Sequence, residues 1–370
     1  MTDDYMEYKD AQATKKGDKD CPNCGGTMVF DPESGGLYCP YCDYKEALPE
    51  EPERSNEVSE QDFLSAENLE SFSWGSDKKQ VVCGSCGAQI VYDALDSSAV
   101  CPFCGANHVM KPNDERSIPP TGVIPFRVSE KQAAEGFSNW LKRKLFAPRA
   151  AKKQASPDSF KGIYMPYWTY DAQTLSEYTA RYGIDHEYTD KDGNRHTETD
   201  WYRTSGNYRR FFDDELVFAS TRHDSSILKS IEPFYSDASH VKPYSPEYLS
   251  GFISERYSVG LKDGWNVARQ QIERKLRSYI SSDIRKRNHA DHVDSLKFTT
   301  DYSAITYKYI LVPVWQSAFQ YKDKVYQFMV NGQNGKVGGK TPVSALRVTI
   351  AVILGIAVAA LIIWLLSGNR

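Results

Sequence analysis

The first ten residues, MTDDYMEYKD, hold neither a basic stretch nor an apolar run. A secretory signal peptide needs both, so none is expected. Without a secretory route, a disulfide framework fits the eight cysteines badly, and no cysteine is left over from the pattern they form. No Ser/His/Asp or paired-carboxylate arrangement can be assembled from the spacing. The stretch Gly335–Thr341 has the look of a phosphate loop but lacks its essentials. Asn334 stands where the first glycine belongs, and Pro342 blocks the helix that should follow. Asn331-Gly332 and Asn334-Gly335 are better read as hairpin turns.

The cysteines fall into two identical frames. Cys21-x2-Cys24 is followed after fourteen residues by Cys39-x2-Cys42, and Cys83-x2-Cys86 after fourteen residues by Cys101-x2-Cys104. Two thiolates two residues apart can face one ion if the chain turns tightly after the second. Gly25, Gly87 and Gly105 occupy that turning position, and Asp43 takes the fourth. Short β-type stretches, Thr27–Phe30 and Gln89–Tyr92, lie between the knuckles. The polar run Asp31–Gly36 would fold the first back as a hairpin. Each frame predicts a closed tetrahedral zinc ribbon, two Zn2+ per chain. Redox pairs, rubredoxin-like iron and disulfides are the competing readings. So small a fragment depends on its metal, whose binding supplies about 10–16 kcal/mol toward folding.

Charge is unevenly spread within a net −4. Met1–Arg116 holds 23 Asp and Glu against 10 Lys and Arg, a net −13, and the remainder is +9. Nucleic-acid affinity rests on cations that neutralise phosphates, so these acidic ribbons are expected to serve protein contact or structure instead. Between the ribbons, Glu46–Ser71 carries eight Glu and one Asp against one Arg. That composition predicts a solvated, disordered tether. In a second reading, Phe63, Leu64, Leu69 and Phe72 form a short docking motif.

Val348–Leu366 is the chain's long apolar run: nineteen residues without a charge, twelve of them Leu, Ile or Val. As a helix it would span about 28 Å, close to a bilayer's hydrocarbon core. Lys336, Lys340 and Arg347 precede it and only Arg370 follows. Positive-inside asymmetry places the N-terminal domains in the cytosol, where zinc-bound thiolates also belong. The span is expected to be a tail anchor inserted after translation, making this a single-pass cell-membrane protein.

The tyrosine-rich middle predicts a mixed α+β domain. Ser129–Phe146 should be a helix, with Ser129 as N-cap and Gln132 closing a capping box. Thr174–Tyr182 and Arg195–Phe211 alternate as strands do. Gly264–Asn288 should be a helix with Trp265, Ala268, Ile272, Leu276, Ile280 and Ile284 on one face. Its other face carries Arg269, Arg274, Lys275, Arg277, Arg285, Lys286 and Arg287. That face is either solvated or turned to anionic lipid or the acidic front half. Tyr164–Trp168 and Leu311–Trp315 share the pattern x-x-Pro-x-Trp, suggesting duplicated units or two strands meeting in one core. Asp213-Asp214-Glu215 is expected in a solvated turn. His289 and His292, flanking Asp291, are expected in a polar helix end rather than a metal site.

The motifs CPNCGG, CPYCD, CGSCGA, CPFCGA, GIYMPYWTYDA, DDELVFAS, PYSPEYLSGF, LVPVWQ and VNGQNGKVGG run through most of the chain. With them the chain resembles a family of Gram-positive bacterial membrane proteins, the YdjG type, labelled TFIIB-type zinc-ribbon proteins. The resemblance carries over the eight cysteines as zinc ligands and no catalytic residue. It implies a membrane anchor working with phage-shock PspA-like and flotillin-like SPFH proteins in envelope stress.

The expected fold class is multidomain: two small β zinc ribbons, a mixed α+β Tyr-rich middle domain, and one C-terminal transmembrane helix. The boundaries expected are 1–18 disordered N-terminus, 19–45 first ribbon, 46–72 acidic linker, 73–112 second ribbon, 117–341 middle domain and 346–366 membrane helix. The expected function is a non-enzymatic adaptor that docks cytosolic partner proteins at the lipid bilayer. A membrane-tethered nucleic-acid-binding protein and an enzyme with an unrecognised site in the middle domain are the alternatives.

Overall fold

The computed structural model describes 19–48, 58–66, 118–154 and 160–367, except 222, 224 and 323. Of 78–82, 89–93, 96–100 and 107–109 it describes the backbone. The expected disordered N-terminus, 1–18, lies outside these residues.

Strands β1 (Val29–Asp31) and β2 (Gly36–Tyr38) form an antiparallel hairpin, with β3 (Lys45–Glu46) beside β2. The polar run closes the turn as its residues dictate. The Asp31 carboxylate accepts from the N–H groups of Glu33 and Ser34, at 3.1 and 3.3 Å, and Gly35 takes the left-handed φ of 69°.

The acidic linker departs from expectation. Residues 58–66 are folded onto the body, with β4 (Gln61–Asp62) adding a short strand to its sheet and α1 (Phe63–Ala66) making one turn. Phe63 and Ala66 are buried, and the Phe63 ring packs against Tyr170 and Trp265. One well-placed aromatic outweighs the composition around it, because burying a Phe side chain stabilises by about 2–3 kcal/mol. Leu64 is exposed, and Leu69 and Phe72 lie outside the described residues.

Two further hairpins follow, β5 (Lys78–Val82) with β6 (Gln89–Asp93) and β7 (Asp96–Val100) with β8 (Asn107–Val109). After β9 (Gly122–Val123), helix α2 (Glu130–Arg143) opens on the expected capping box. Ser129 Oγ accepts from the Gln132 N–H, and Gln132 Oε1 accepts from the Ser129 N–H. The helix stops at Arg143, short of Phe146, because Pro148 disfavours helical geometry just before it. A short helix, α3 (Arg149–Gln154), follows.

The body is built on three very long strands. β10 (Lys161–Thr189) turns back into β11 (Arg195–Phe218); the remaining long strand, β14, enters after α4 (Ser225–Ile231), β12 (Lys242–Pro243), β13 (Ile253–Glu255) and helix α5 (Leu261–Asn288). β14 (His292–Tyr321) lies antiparallel to β10 on the side away from β11. At about 3.3 Å per residue the 29 residues of β10 reach roughly 95 Å. The strands read at 174–182 and 195–211 are thus pieces of far longer ones. β15 (Lys324–Asn331) and β16 (Val337–Gly339) continue the sheet beside β14. Helix α6 (Ala345–Ser367) comes last.

Tyr164 faces Pro313 across the sheet and Pro166 faces Leu311, so the two x-x-Pro-x-Trp segments are adjacent strands meeting in one core. There the sheet is covered on both faces. Ile124, Met165, Tyr167, Leu228, Val312 and Met329 pack on one side, and Tyr164, Trp168, Phe126, Phe252 and Trp315 on the other. Burial in β10 is unbroken from Ile163 to Ala172 and alternates beyond Gln173, with Thr174, Ser176, Tyr178 and Ala180 buried. The change follows a bulge between Asp171 and Gln173, past which, among the described residues, α5 covers one face of the sheet. All six apolar positions read on α5 are buried. Its basic face is exposed, with Lys275 paired to buried Glu215 at 2.5 Å and Arg277 donating to the Leu296 carbonyl at 2.9 Å.

Beyond α5 the β10–β11 hairpin projects as a two-stranded tip. His196 and Asp190 pair at 2.7 Å beside its turn, and His292 and Asp185 at 2.9 Å at its base. Asp291 accepts from the Asp185 N–H at 2.9 Å, and His289 is the left-handed C-cap of α5, so these residues form the polar helix end expected of them. Among the described residues, β11 has no strand on its outer edge, and β14 has none on its own outer edge before Thr306.

The start of α5 is held by two buried aromatics. Trp168 Nε1 donates to the Val259 carbonyl at 2.8 Å and Tyr170 Oη to the Leu261 carbonyl at 2.6 Å. Gly264 permits this approach, since a Cβ there would sit 2.8 Å from the Trp168 ring and closer still to the Tyr170 hydroxyl. Gly264→Ala should therefore lower stability by about 2 kcal/mol in thermal or urea unfolding, although alanine is the better helix former. A gain in stability would show that α5 is not held this close.

Candidate metal centre

The first cysteine frame comes together as its spacing requires. Cys21 and Cys24 sit on one knuckle before β1, and Cys39 and Cys42 on a second after β2. The knuckles repeat each other. Gly25 N–H donates to the Cys21 carbonyl at 2.8 Å and Asp43 N–H to the Cys39 carbonyl at 3.0 Å. Gly25 and Asp43 both take positive φ, 73° and 60°, at the turning position identified from the sequence. Each first thiol is buried, and the second in each pair lies nearer solvent.

The four Sγ atoms all lie within 4.8 Å of one another, with Cys21 to Cys42 and Cys24 to Cys39 both at 3.5 Å. A disulfide needs about 2.05 Å, so these are separate thiols. A tetrahedron with metal–sulfur bonds of about 2.3 Å has edges of about 3.8 Å, so the cluster fits one zinc ion. The Asn23 side chain and the Tyr44 backbone N–H hold the Cys42 thiol down, while Cys24, despite the Gly26 N–H, is pushed up by the neighbouring Cys42 and Cys39 thiols. With four sulfur ligands no coordination position is left for substrate, which makes this a structural site rather than a hydrolytic one.

This ribbon is docked on the body. Phe30 N–H donates to the Ser250 carbonyl at 3.0 Å, and the buried Phe30 ring packs on Tyr248 and Phe252. An ion held here would fix one end of a hairpin whose other end is part of the main core.

Cys83, Cys86, Cys101 and Cys104 lie outside the described residues. The strands around them form two separate antiparallel pairs, where the first ribbon has one three-stranded sheet. Val82 pairs with Gln89, and Val100 with Asn107, each pair bracketing one Cys-x2-Cys segment. β7 also pairs with β13 of the body.

A second group of potential ligands, Glu60, Asp171 and Asp214, was not read from the sequence. Within β11, Glu215 is buried and Asp214 half-buried rather than in a solvated turn, while Asp213 is exposed as expected. Lys308 supplies the countercharge, with Nζ 2.5 Å from Glu60 and 2.7 Å from Asp214. Asp171 accepts from the Asp214 N–H at 2.7 Å and from the Thr306 hydroxyl at 3.0 Å. Burial pushes the Glu60 and Asp214 carboxyls up despite Lys308. Burial also lowers the Lys308 ammonium, but Asp214 and Glu60 outweigh it and leave it raised, so the lysine stays charged. The signal in the sequence was a lysine within the apolar-aromatic run Tyr307–Trp315. This cluster latches the linker to the sheet through Glu60.

The comparisons with known proteins bear on the whole chain. It is 28% identical over 330 residues, 88% of its length, to "Uncharacterized protein YdjG" of Bacillus subtilis (strain 168), of which the match covers 89%. The chain is similar to YdjG. A match of that length takes in much of the long-strand body, so the likeness to YdjG does not rest on cysteine spacing alone. No family model matches the chain, and no solved structure does.

Cys39→Ser should remove one zinc equivalent per chain by elemental analysis, and iron in place of zinc would overturn the assignment. Lys308→Met should cost about 3 kcal/mol, the low end for a broken buried pair because Glu60 is a third exposed. Adding Glu60→Gln and Asp214→Asn should restore most of that loss in urea unfolding.

Proposed function

We propose that this chain is a non-enzymatic membrane-anchored adaptor that docks cytosolic partner proteins at the bilayer. The observation that carries the proposal is the placement of α6. It is the one helix among the described residues long and apolar enough to cross a membrane, and none of its apolar window is buried. It leaves the body beside α2, at the opposite end of the long strands from the β10–β11 tip.

Lys336, Lys340 and Arg347 before the span favour a cytosolic body. A second zinc on Cys83, Cys86, Cys101 and Cys104 would complete the paired ribbons, of the TFIIB type by the family resemblance. Closed thiolate sites suit shape and contact rather than turnover. The acidic front half suits protein partners better than nucleic acid. The envelope-stress role with PspA-like and SPFH partners comes from the resemblance to the YdjG type.

The full-length protein should sediment with membranes and resist carbonate extraction. A fluorescent PspA-like or SPFH protein should form membrane foci that depend on it. Foci that persist unchanged in cells lacking this chain would overturn the recruitment reading. Tight, salt-sensitive DNA binding by the purified protein would favour a nucleic-acid role in its place.

A further inference from the structure

The loop between α2 and α3 is bolted to the root of α6. Arg347 donates to the carbonyls of Leu145 at 2.9 Å and Ala147 at 2.7 Å, and the Ser344 N–H donates to the Phe146 carbonyl at 2.9 Å. These bonds satisfy three successive carbonyls of the loop after α2 and fix where α6 departs. They also hold two large apolar side chains outward, Leu145 at 78% exposure and Phe146 at 45%. A soluble protein has no reason to display both on one turn beside an uncovered apolar helix.

The surroundings are basic. Lys142–Lys153 holds six cations and no carboxylate. Lys142, Arg143, Lys144 and Arg149 are exposed around the two apolar residues. Between this loop and the first turns of α6 runs an open cleft of about 640 Å³. Its walls are Leu145, Phe146, Ile350 and Leu354, and its rim carries Arg149 and Lys152. No carboxylate lines it among the described residues. An apolar trough continuous with a membrane span, capped by cations, has the layout of one amphiphile: an acyl chain below and a negative headgroup above.

We propose that this cleft is an anionic phospholipid site. Its apolar walls take the upper part of an acyl chain, Arg149 takes the phosphate together with the N–H groups that Lys152 keeps after donating to the Lys142 carbonyl at 2.7 Å, and Leu145 and Phe146 enter the interface beside it. Arg347 is spent on the loop carbonyls, so its part is to position the site rather than to bind the lipid. The consequence is orientational. A single span leaves a body free to swivel and tilt on the membrane, whereas a second contact at the same level fixes one face downward. The proposal rests on α6 crossing the bilayer, as the proposed function holds.

The test uses the full-length chain reconstituted in phosphatidylcholine vesicles with and without phosphatidylglycerol. A photo-reactive benzophenone amino acid is placed at Leu145 in one variant and at Ile356, within the span, in another. Both should crosslink to lipid, and the probe at Leu145 should favour phosphatidylglycerol over its share of the bilayer. Arg149→Gln with Lys152→Gln should cut that preference on the order of tenfold while leaving the Ile356 crosslink and the thermal melt unchanged. Lipid labelling from Ile356 with none from Leu145, or labelling from Leu145 of a second copy of the chain, would overturn the lipid site and leave the anchor standing. No lipid labelling from either position would overturn the anchor itself. Labelling from Leu145 that ignores headgroup charge would also overturn the proposal.

Discussion

Strand β10 is hydrogen-bonded on both sides for most of its length, by β14 on one side and β11 on the other. That pairing decides where every side chain of the body points, because residues alternate across a sheet. Near Lys161 both faces are covered, so neighbours in sequence are all buried and the strand runs as Ile-Tyr-Met-Pro-Tyr-Trp-Thr-Tyr. Past the bulge at Asp171 the described residues cover one face, and the same strand turns into an alternating pattern. The helix α5, the docked linker and the Lys308 cluster all take their positions from that change. Asp171 itself sits at the bulge and accepts the one hydrogen bond from the Asp214 N–H that sets it in place.

The features most legible in the sequence were those whose cause is local. The capping box at Ser129, the apolar stripe of α5 and the left-handed residues after Cys24 and Cys42 each depend on neighbours a few residues away. The proline-tryptophan echo was legible too, because two similar segments in one core tend to be partners. The lengths of β10 and β14 were not. A run buried on both faces has no period, and the bulges break alternation where it would otherwise show. The linker failed for a different reason. Its charge describes the average residue, while its docking depends on Phe63 and Glu60 finding Tyr170, Trp265 and Lys308, more than a hundred residues away. Asp214 and Glu215 were misplaced on the same grounds, since nothing local announces Lys308 or Lys275 opposite them.

The first ribbon gains its meaning from this arrangement. A zinc ribbon on a loose tether would be an independent module, but Phe30 is set between Tyr248 and Phe252, and the linker that leaves the ribbon is fastened at Phe63. A metal on the four cysteines would therefore stabilise one corner of a continuous body. Loss of the ion would be felt at Ser250, which accepts the Phe30 N–H, before it was felt anywhere near α6. The acidic front half and basic back half are likewise in contact, at Glu60 and Lys308, rather than separated along a flexible chain.

A stiff bar clamped at one end is a lever. The long strands run from the joint where Arg347 grips the Leu145–Ala147 loop to the turn at Asp190–Asn194. Over a length of roughly 95 Å, a rocking of about five degrees at the joint sweeps the far turn through about 8 Å, more than a helical turn. Small changes where the chain meets its support thus arrive magnified at the other end, and the histidine–aspartate pairs at the tip travel furthest.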